Sequence, residues 1–383
     1  MAIGYNHIKV AVRLDAIRYN YKILKAAGGN IMPVVKADAY GHGLVAVGQA
    51  LAEAGATALA VGTVEEAVQL RESSFGGNIV AMLGANDASE ARAAREYDII
   101  PFVFHRRQLE LLTTTASGQY NGKRRLSIGL KFNTCMARLG FELYEAAKLV
   151  DTLSHFPAVR LDLVASHLAV ADTYDDPDAM AFNRECSHRF MEAVGILRAA
   201  GHIVQASLAN SAAILAWPEL RLDIQRPGIA LYGVNPFYGT SLAHLGQMLQ
   251  PAMEVRAPVL QIHRLTKGAT VSYGRTFTAP ENMTIAVIAA GYADAYSWRL
   301  SSPKGTGGAV LLQGQRAPLL GRICMQMVMV DVSRLPEIQP GDQALLLGGE
   351  GIEAIHAEEL ASWWQTIPYE VVCLLGLNPR HYK

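Results

Sequence analysis

Apolar residues come in short unbroken runs through the first two-thirds of the chain. The runs are Ile31–Val35, Ala58–Val61, Asn78–Leu83, Ile99–Phe104, Leu126–Phe132, Leu161–His167, Val204–Leu208 and Leu222–Arg226. Runs this short and this apolar suit strands buried on both faces. Between most of them lie Ala- and Leu-rich segments with helical spacing, among them "LVAVGQALAEAG" and "DAMAFNRECSHRFMEAVGILRAAG". Strands alternating with such helices predict a parallel sheet covered by helices. A count of eight runs favours an α/β fold closed into a (β/α)8 TIM-type barrel over an open doubly wound sheet.

After about Asn235 the pattern changes. "MEVRAPVLQIHRL", "MTIAVIAAGYA", "GAVLLQGQRAPLLGRICMQMVMVDV" and "GDQALLLGG" are short strand-like runs separated by Gly- and Pro-containing turns. Long helical patterns are nearly absent until "HAEELASWWQ". The expected division is therefore a barrel over 1–239 and a mainly β C-terminal domain over 240–383. The early "HIKVAVRL", about 7–13, has an edge-like alternation and is a candidate to cross over and join the second domain.

Composition narrows the class. The 383 residues are 51% hydrophobic and 18% charged, enough apolar material for a substantial core. Thirty-four basic residues balance thirty-four acidic ones, so nothing invites nucleic acid or an anionic membrane. No apolar run approaches the roughly 20 residues of a membrane span. The opening "MAIGYNHIKVAVRLDAIRYN" lacks a basic end followed by an apolar core, so no signal peptide is expected. Cys135, Cys186, Cys324 and Cys373 form no C-x-x-C pair, which fits a reduced, cytoplasmic compartment. The eleven histidines show no H-E-x-x-H spacing, so no metal is assigned.

Candidate chemistry gathers at the carboxyl ends of the strands, the rim where barrels of this kind work. Lys36 follows the first strand, Arg138 lies in the loop after the fifth, and His167 ends the sixth. Asn210 and Ser211 follow the seventh, and Arg226 ends the eighth, leading into Gly228 and Ile229. Singly, each has an ordinary reading: a paired interior lysine, a core histidine, a structural ion pair. Ser211 opening a helix suits a phosphate, and a glycine after the eighth strand lets backbone approach a ligand. A phosphate there, with one lysine across the rim, suggests pyridoxal 5'-phosphate held as a Schiff base on Lys36.

Six motifs in order, "VVKADAYGHG", "LANSAAIL", "QRPGIALYG", "VSYGRTF", "GRICM" and "IPYEVVC", resemble the alanine racemase family of fold type III pyridoxal-phosphate enzymes. The resemblance implies a barrel plus β domain in a head-to-tail homodimer, with each active site completed by the partner's β domain. It implies Lys36 as the base on the D side and Tyr273, from the other subunit, as the base on the L side. Arg226 would face the pyridine nitrogen, and Arg138 the phenolic oxygen and the substrate carboxylate. Tyr40, Ser211, Gly228, Ile229 and Tyr369 would hold the phosphate, with His167 behind the cofactor. Met325 and Tyr292 of the partner would frame the substrate entrance, and Lys131 corresponds to a lysine often carbamylated in the family. The implied reaction interconverts L- and D-alanine, supplying D-alanine for peptidoglycan.

This sequence departs from the family pattern at Asn133, Cys135, Ala137, Ser207, Ala295, Gln326 and Pro368. Gln326 and Ala295 leave serine or a larger amino acid open as the substrate. A barrel-type decarboxylase and a non-enzymatic cofactor-carrying barrel are the other readings. Arg226 and the Tyr273 motif weigh against the first, and the β domain from about 240 onward, with Tyr273 and Met325, weighs against the second.

Overall fold

The structure, a computed structural model, describes residues 7–114, 125–173, 176–303, 307–349, 351 and 354–383. Two compact units result. One comprises Ile17–Ala39 and Leu44–Leu249; the other comprises residues through Ala16, Tyr40–Gly43 and Gln250–Lys383.

In the first unit, parallel strands Ala58–Val61, Asn78–Ala81, Ile99–Val103, Leu126–Asn133, Val159–Ala165 and Gln205–Ser207 neighbour one another in that order. The ring is completed by two short parallel pairings, Val34 with Ala60 and Ile31 with Gln225. Val35 N–H donates to Ala60 O at 2.8 Å, and Met32 N–H donates to Gln225 O at 2.7 Å. The eighth run meets the seventh through Asp223 N–H to Ala206 O at 3.1 Å. The first and eighth runs are thus bridges rather than long ladders. Pro33 interrupts the first run and Pro227 follows the eighth directly, and proline has no N–H to give a neighbouring strand.

Helices cover the barrel where the sequence pattern predicts them. Leu44–Glu53 and Pro177–Ala199 are the two quoted segments. The second buries Ala179, Asn183, Cys186, Phe190, Ala193, Val194 and Leu197, a stripe at helical spacing. Asp176 caps it, its carboxylate accepting from Asp178 N–H at 2.9 Å, and Pro177 sits in the first turn, where no N–H is needed.

The second unit is mainly β. Antiparallel strands Met283–Ile288, Val328–Asp331, Gln315–Leu320, Ala309–Leu312, Gln343–Leu347 and Met253–Leu265 follow one another, and the last pairs back onto the first. Lys9–Val12 adds to the outer edge of Met253–Leu265, and Arg380–Tyr382 pairs with it in parallel. Val271, Phe277, Met283, Ile285, Leu320 and Met329 share one buried cluster. The sequence reading divided the chain at 239/240, whereas residues up to Leu249 pack with the barrel unit. Asn235 explains part of the difference: its side-chain amide donates to Ala243 O at 2.8 Å and folds the following segment back.

Candidate active site

Directly after Lys36 the backbone turns the wrong way for L-residues. Ala37, Asp38, Ala39 and Tyr40 all have φ of 53–54°. A left-handed turn places each Cβ against the next carbonyl, at about 1–2 kcal/mol per residue. Four in a row persist only where neighbours hold them. Ala39 N–H donates to Val35 O at 2.9 Å, and Leu44 N–H to the Asp38 carboxylate at 2.7 Å. Glu66 reaches over from the first turn of the helix Val64–Glu72, accepting Ala37 N–H at 2.6 Å and Asp38 N–H at 3.3 Å. Gly41 follows with φ 79°, and a Cβ there would lie 2.5 Å from Val372 O, so only glycine fits.

Around Lys36 the barrel rim collects cations. Arg226 is 5% exposed and donates to Ser166 O at 2.5 Å and to the Ser207 hydroxyl. Burial alone pushes its guanidinium down to about 10. Among the described residues no carboxylate pairs with it. Burial, and then Arg226 and Arg138, hold the Lys131 ammonium well below the ordinary lysine range. His167 is held well below the usual imidazole range by burial and then by Arg226, Lys131, Arg138 and Lys36. None of the charges that shift Arg226, Lys131 or His167 is a carboxylate. Five predicted residues, Lys36, Lys131, Arg138, His167 and Arg226, therefore share one electropositive region. Such a region suits a ligand carrying several negative groups.

Local structure sets the reach of these side chains. His167 lies two residues beyond the strand Val159–Ala165 rather than at its end. Ser166 between them spends its backbone carbonyl on Arg226, and its hydroxyl donates to Phe132 O at 2.9 Å. The loop bearing Arg138 is drawn in by Asn133, whose side-chain oxygen accepts from Ala137 N–H at 2.8 Å. Ala137 has φ 51°, a left-handed conformation that glycine would adopt more easily.

Ser211 opens a helix, as its place after the seventh run predicts. Asn210 rather than Ser211 caps the helix Ser211–Ala216, accepting from Ala213 N–H at 3.1 Å. The Ser211 hydroxyl instead accepts from Gly228 N–H at 2.9 Å and Ala230 N–H at 3.2 Å, drawing this turn and the Gly228–Ile229 segment together. A buried hydroxyl beside the Gly228–Ile229 backbone fits a phosphate, and a buried guanidinium that meets no carboxylate among the described residues fits a ring nitrogen.

In the other unit, Tyr273 is 69% exposed on a strained turn. Ser272 before it has φ 62° and ψ −177°, a region rarely entered except by glycine. Its hydroxyl donates to Arg322 O at 2.6 Å. Ala293 N–H donates to Met325 O at 2.8 Å and Tyr292 N–H to Cys324 O at 3.3 Å, bringing Tyr292 beside Met325. These side chains are also open, 45% and 57% exposed. Tyr40 and Tyr369 face each other with ring centroids 6.1 Å apart. Burial, then Tyr369 and Cys373, raise the Tyr40 phenol above its usual range. Pro368 opens the helix Pro368–Leu375 that carries Tyr369, a position where proline is at home.

Two residues in these sites escaped the sequence reading: Glu66 and Ser272. Glu66 had a signal, since Thr63-x-x-Glu66 has the spacing of a capping box and both halves of that box form.

Residues 12–236 match the family "Alanine racemase, N-terminal domain", and residues 252–382 match "Alanine racemase, C-terminal domain". An alanine racemase of Nitratidesulfovibrio vulgaris (strain DSM 19637 / Miyazaki F) is 51% identical over 383 residues, covering 100% of both chains. The biosynthetic alanine racemase of Pseudomonas aeruginosa superposes with a TM-score of 0.86 at 33% identity, covering 99% of each chain. The alanine racemase of Bartonella henselae, whose crystal structure carries covalently bound pyridoxal phosphate, gives a TM-score of 0.84 at 28% identity, covering 98% of this chain and 99% of that one.

Proposed function

Because this chain belongs to the alanine racemase family, we propose that it interconverts L- and D-alanine using pyridoxal 5'-phosphate. The observation carrying this reading is the convergence of Arg226, Lys131, Arg138 and Lys36 on His167, with Arg226 buried and, among the described residues, paired with no carboxylate. When bound, the cofactor acidifies the substrate Cα–H bond by withdrawing electrons from it.

The protein's own part is binding and proton transfer. Tyr40, Ser211, Gly228, Ile229 and Tyr369 are the proposed phosphate ligands, with Asn210 fixing the Ser211 turn. Lys36 holds the cofactor through its amine. Racemisation needs a base on each face of Cα, so Lys36 Nζ takes the proton from D-alanine and Tyr273 of the partner subunit takes it from L-alanine. An exposed Tyr273 on a pinned turn supports service to a neighbouring chain, with Tyr292 and Met325 beside the substrate entrance. Arg226 is the proposed neighbour of the ring nitrogen. A guanidinium donates and does not surrender its proton there, which leaves that nitrogen unprotonated. Arg138 takes the substrate carboxylate, and burial beside Arg226 and Arg138 lowers the Lys131 ammonium in the direction that favours a carbamate. The D-alanine formed would serve peptidoglycan synthesis in the cytoplasm.

The test is incubation of L-alanine with the purified enzyme and pyridoxal phosphate, following D-alanine by chiral chromatography. Racemisation is expected, with at least a thousandfold loss in Lys36→Ala, roughly the scale of losing a catalytic base. No cofactor absorbance band, or full activity in Lys36→Ala, would refute the reading. A parallel panel with L-serine identifies the preferred side chain.

A further inference from the structure

Lys36 stands at the head of a turn that its own residues disfavour, and the hydrogen bonds that hold the turn converge on one side chain. The Glu66 carboxylate accepts four backbone N–H groups. Oε1 takes Ala37 at 2.6 Å and Asp38 at 3.3 Å; Oε2 takes Gly62 at 2.7 Å and Thr63 at 3.2 Å. One oxygen thus serves the turn after Lys36, and the other serves the end of the neighbouring strand Ala58–Val61. Glu66 is itself fixed, because its own N–H donates to the Thr63 hydroxyl at 3.2 Å at the start of the helix Val64–Glu72. The Lys36 Cβ lies close by, 3.6 Å from the position a Cβ on Gly62 would take. A capping box needs only the Gly62–Thr63 side of this arrangement. The bonds to Ala37 and Asp38 are additional, and they bind a left-handed turn to the rigid sheet.

We propose that Glu66 is a positioning residue for Lys36: by clamping Ala37 and Asp38 to the second strand it fixes the direction in which the lysine amine leaves the rim. The proposal rests on Lys36 being the cofactor lysine, and the test separates the two. Without the second oxygen acceptor, Ala37 and Asp38 relax toward ordinary φ, and Lys36 swings with them. A glutamine has one acceptor oxygen where the carboxylate has two, and its NH₂ group opposes the backbone donors it faces.

The experiment compares wild type, Glu66→Gln and Glu66→Gln/Ala37→Gly, each stripped of cofactor and remixed with pyridoxal phosphate. Borohydride is added at timed intervals, and the labelled lysine is located by peptide mapping. Wild type is expected to label Lys36. Glu66→Gln should label it at least about tenfold more slowly, with kcat falling in proportion and the KM for alanine changing less than about twofold. Glycine at 37 adopts positive φ freely, so the double variant should recover most of the labelling rate. Equal rates in wild type and Glu66→Gln overturn the proposal, as does a slow rate that Ala37→Gly leaves unchanged. Glu66→Asp keeps the charge but withdraws it by one methylene, and it serves if Glu66→Gln does not fold. It should label slowly too, and normal labelling overturns the proposal. A wild type labelled at another lysine, or at none, defeats the reading of Lys36 itself.

Discussion

Burial and surrounding cations push the Lys131 ammonium and the His167 imidazolium well below their ordinary ranges, and in the cofactor-free protein this costs stability. The direction of the pH effect follows. Between its lowered folded pKa and about 6.5, His167 binds a proton more readily in the unfolded chain than in the folded one. The His167 contribution is therefore complete above about pH 6.5, and stability falls as pH drops below it, by up to about 1.4 kcal/mol per pH unit. Lys131 acts in the same sense over a higher window, so folding of the apo chain gains as pH rises toward about 10.4. Lys131→Met should raise the apo melting temperature at pH 7 by about 2–4 °C while lowering racemisation. His167→Asn should flatten the melting profile between about pH 5 and 6.5. Thermal unfolding across pH checks both. An unchanged apo profile would show that these groups do not carry the electrostatic strain assigned to them.

The elements bearing the site were partly legible in the sequence. Strands buried on both faces read as unbroken apolar runs, so the rim is legible in the sequence. Arg138 and His167 follow the strands Leu126–Asn133 and Val159–Ala165, and Lys36 and Arg226 follow the bridges at Val34 and Gln225. The left-handed turn Ala37–Tyr40 was not legible, because "ADAY" contains no glycine to announce positive φ. Glu66, which accepts the Ala37 and Asp38 N–H groups, lies far along the chain. The first and eighth strands shrink to bridges, with Pro33 inside the first and Pro227 directly after the eighth. Ala295 shows the same kind of hidden cost. It ends the turn Tyr292–Asp294 at φ 60°, so a residue noticed only as a departure from family pattern occupies a conformation that favours glycine. Ala295→Gly should gain up to about 1 kcal/mol, relief of the left-handed penalty less the entropy of a freer unfolded chain. Urea unfolding measures it, and a loss of stability would mean the methyl group packs more favourably than its backbone suffers.

At the scale of the whole molecule, the chain joins a cation-rich barrel to a β unit whose tyrosine and methionine face outward. Tyr273, Met325 and Tyr292 are large apolar or amphipathic groups left open on loops braced by backbone hydrogen bonds. Open side chains on braced loops suit a docking role toward a second copy of the chain. If sites are shared, mixing inactive Lys36→Ala with inactive Tyr273→Phe should restore up to about a quarter of wild-type activity per site, because mixed dimers own one intact pair of bases. No recovery after subunit exchange would sink the shared arrangement. The central claim is two bases on opposite faces of one carbon, and hydrogen exchange in D₂O with the Tyr273→Phe enzyme tests it most directly. The account predicts that D-alanine loses its α-proton to solvent through Lys36, while L-alanine exchanges at least about a hundredfold more slowly and racemisation stalls. Equal exchange from both enantiomers would mean that one group serves both faces.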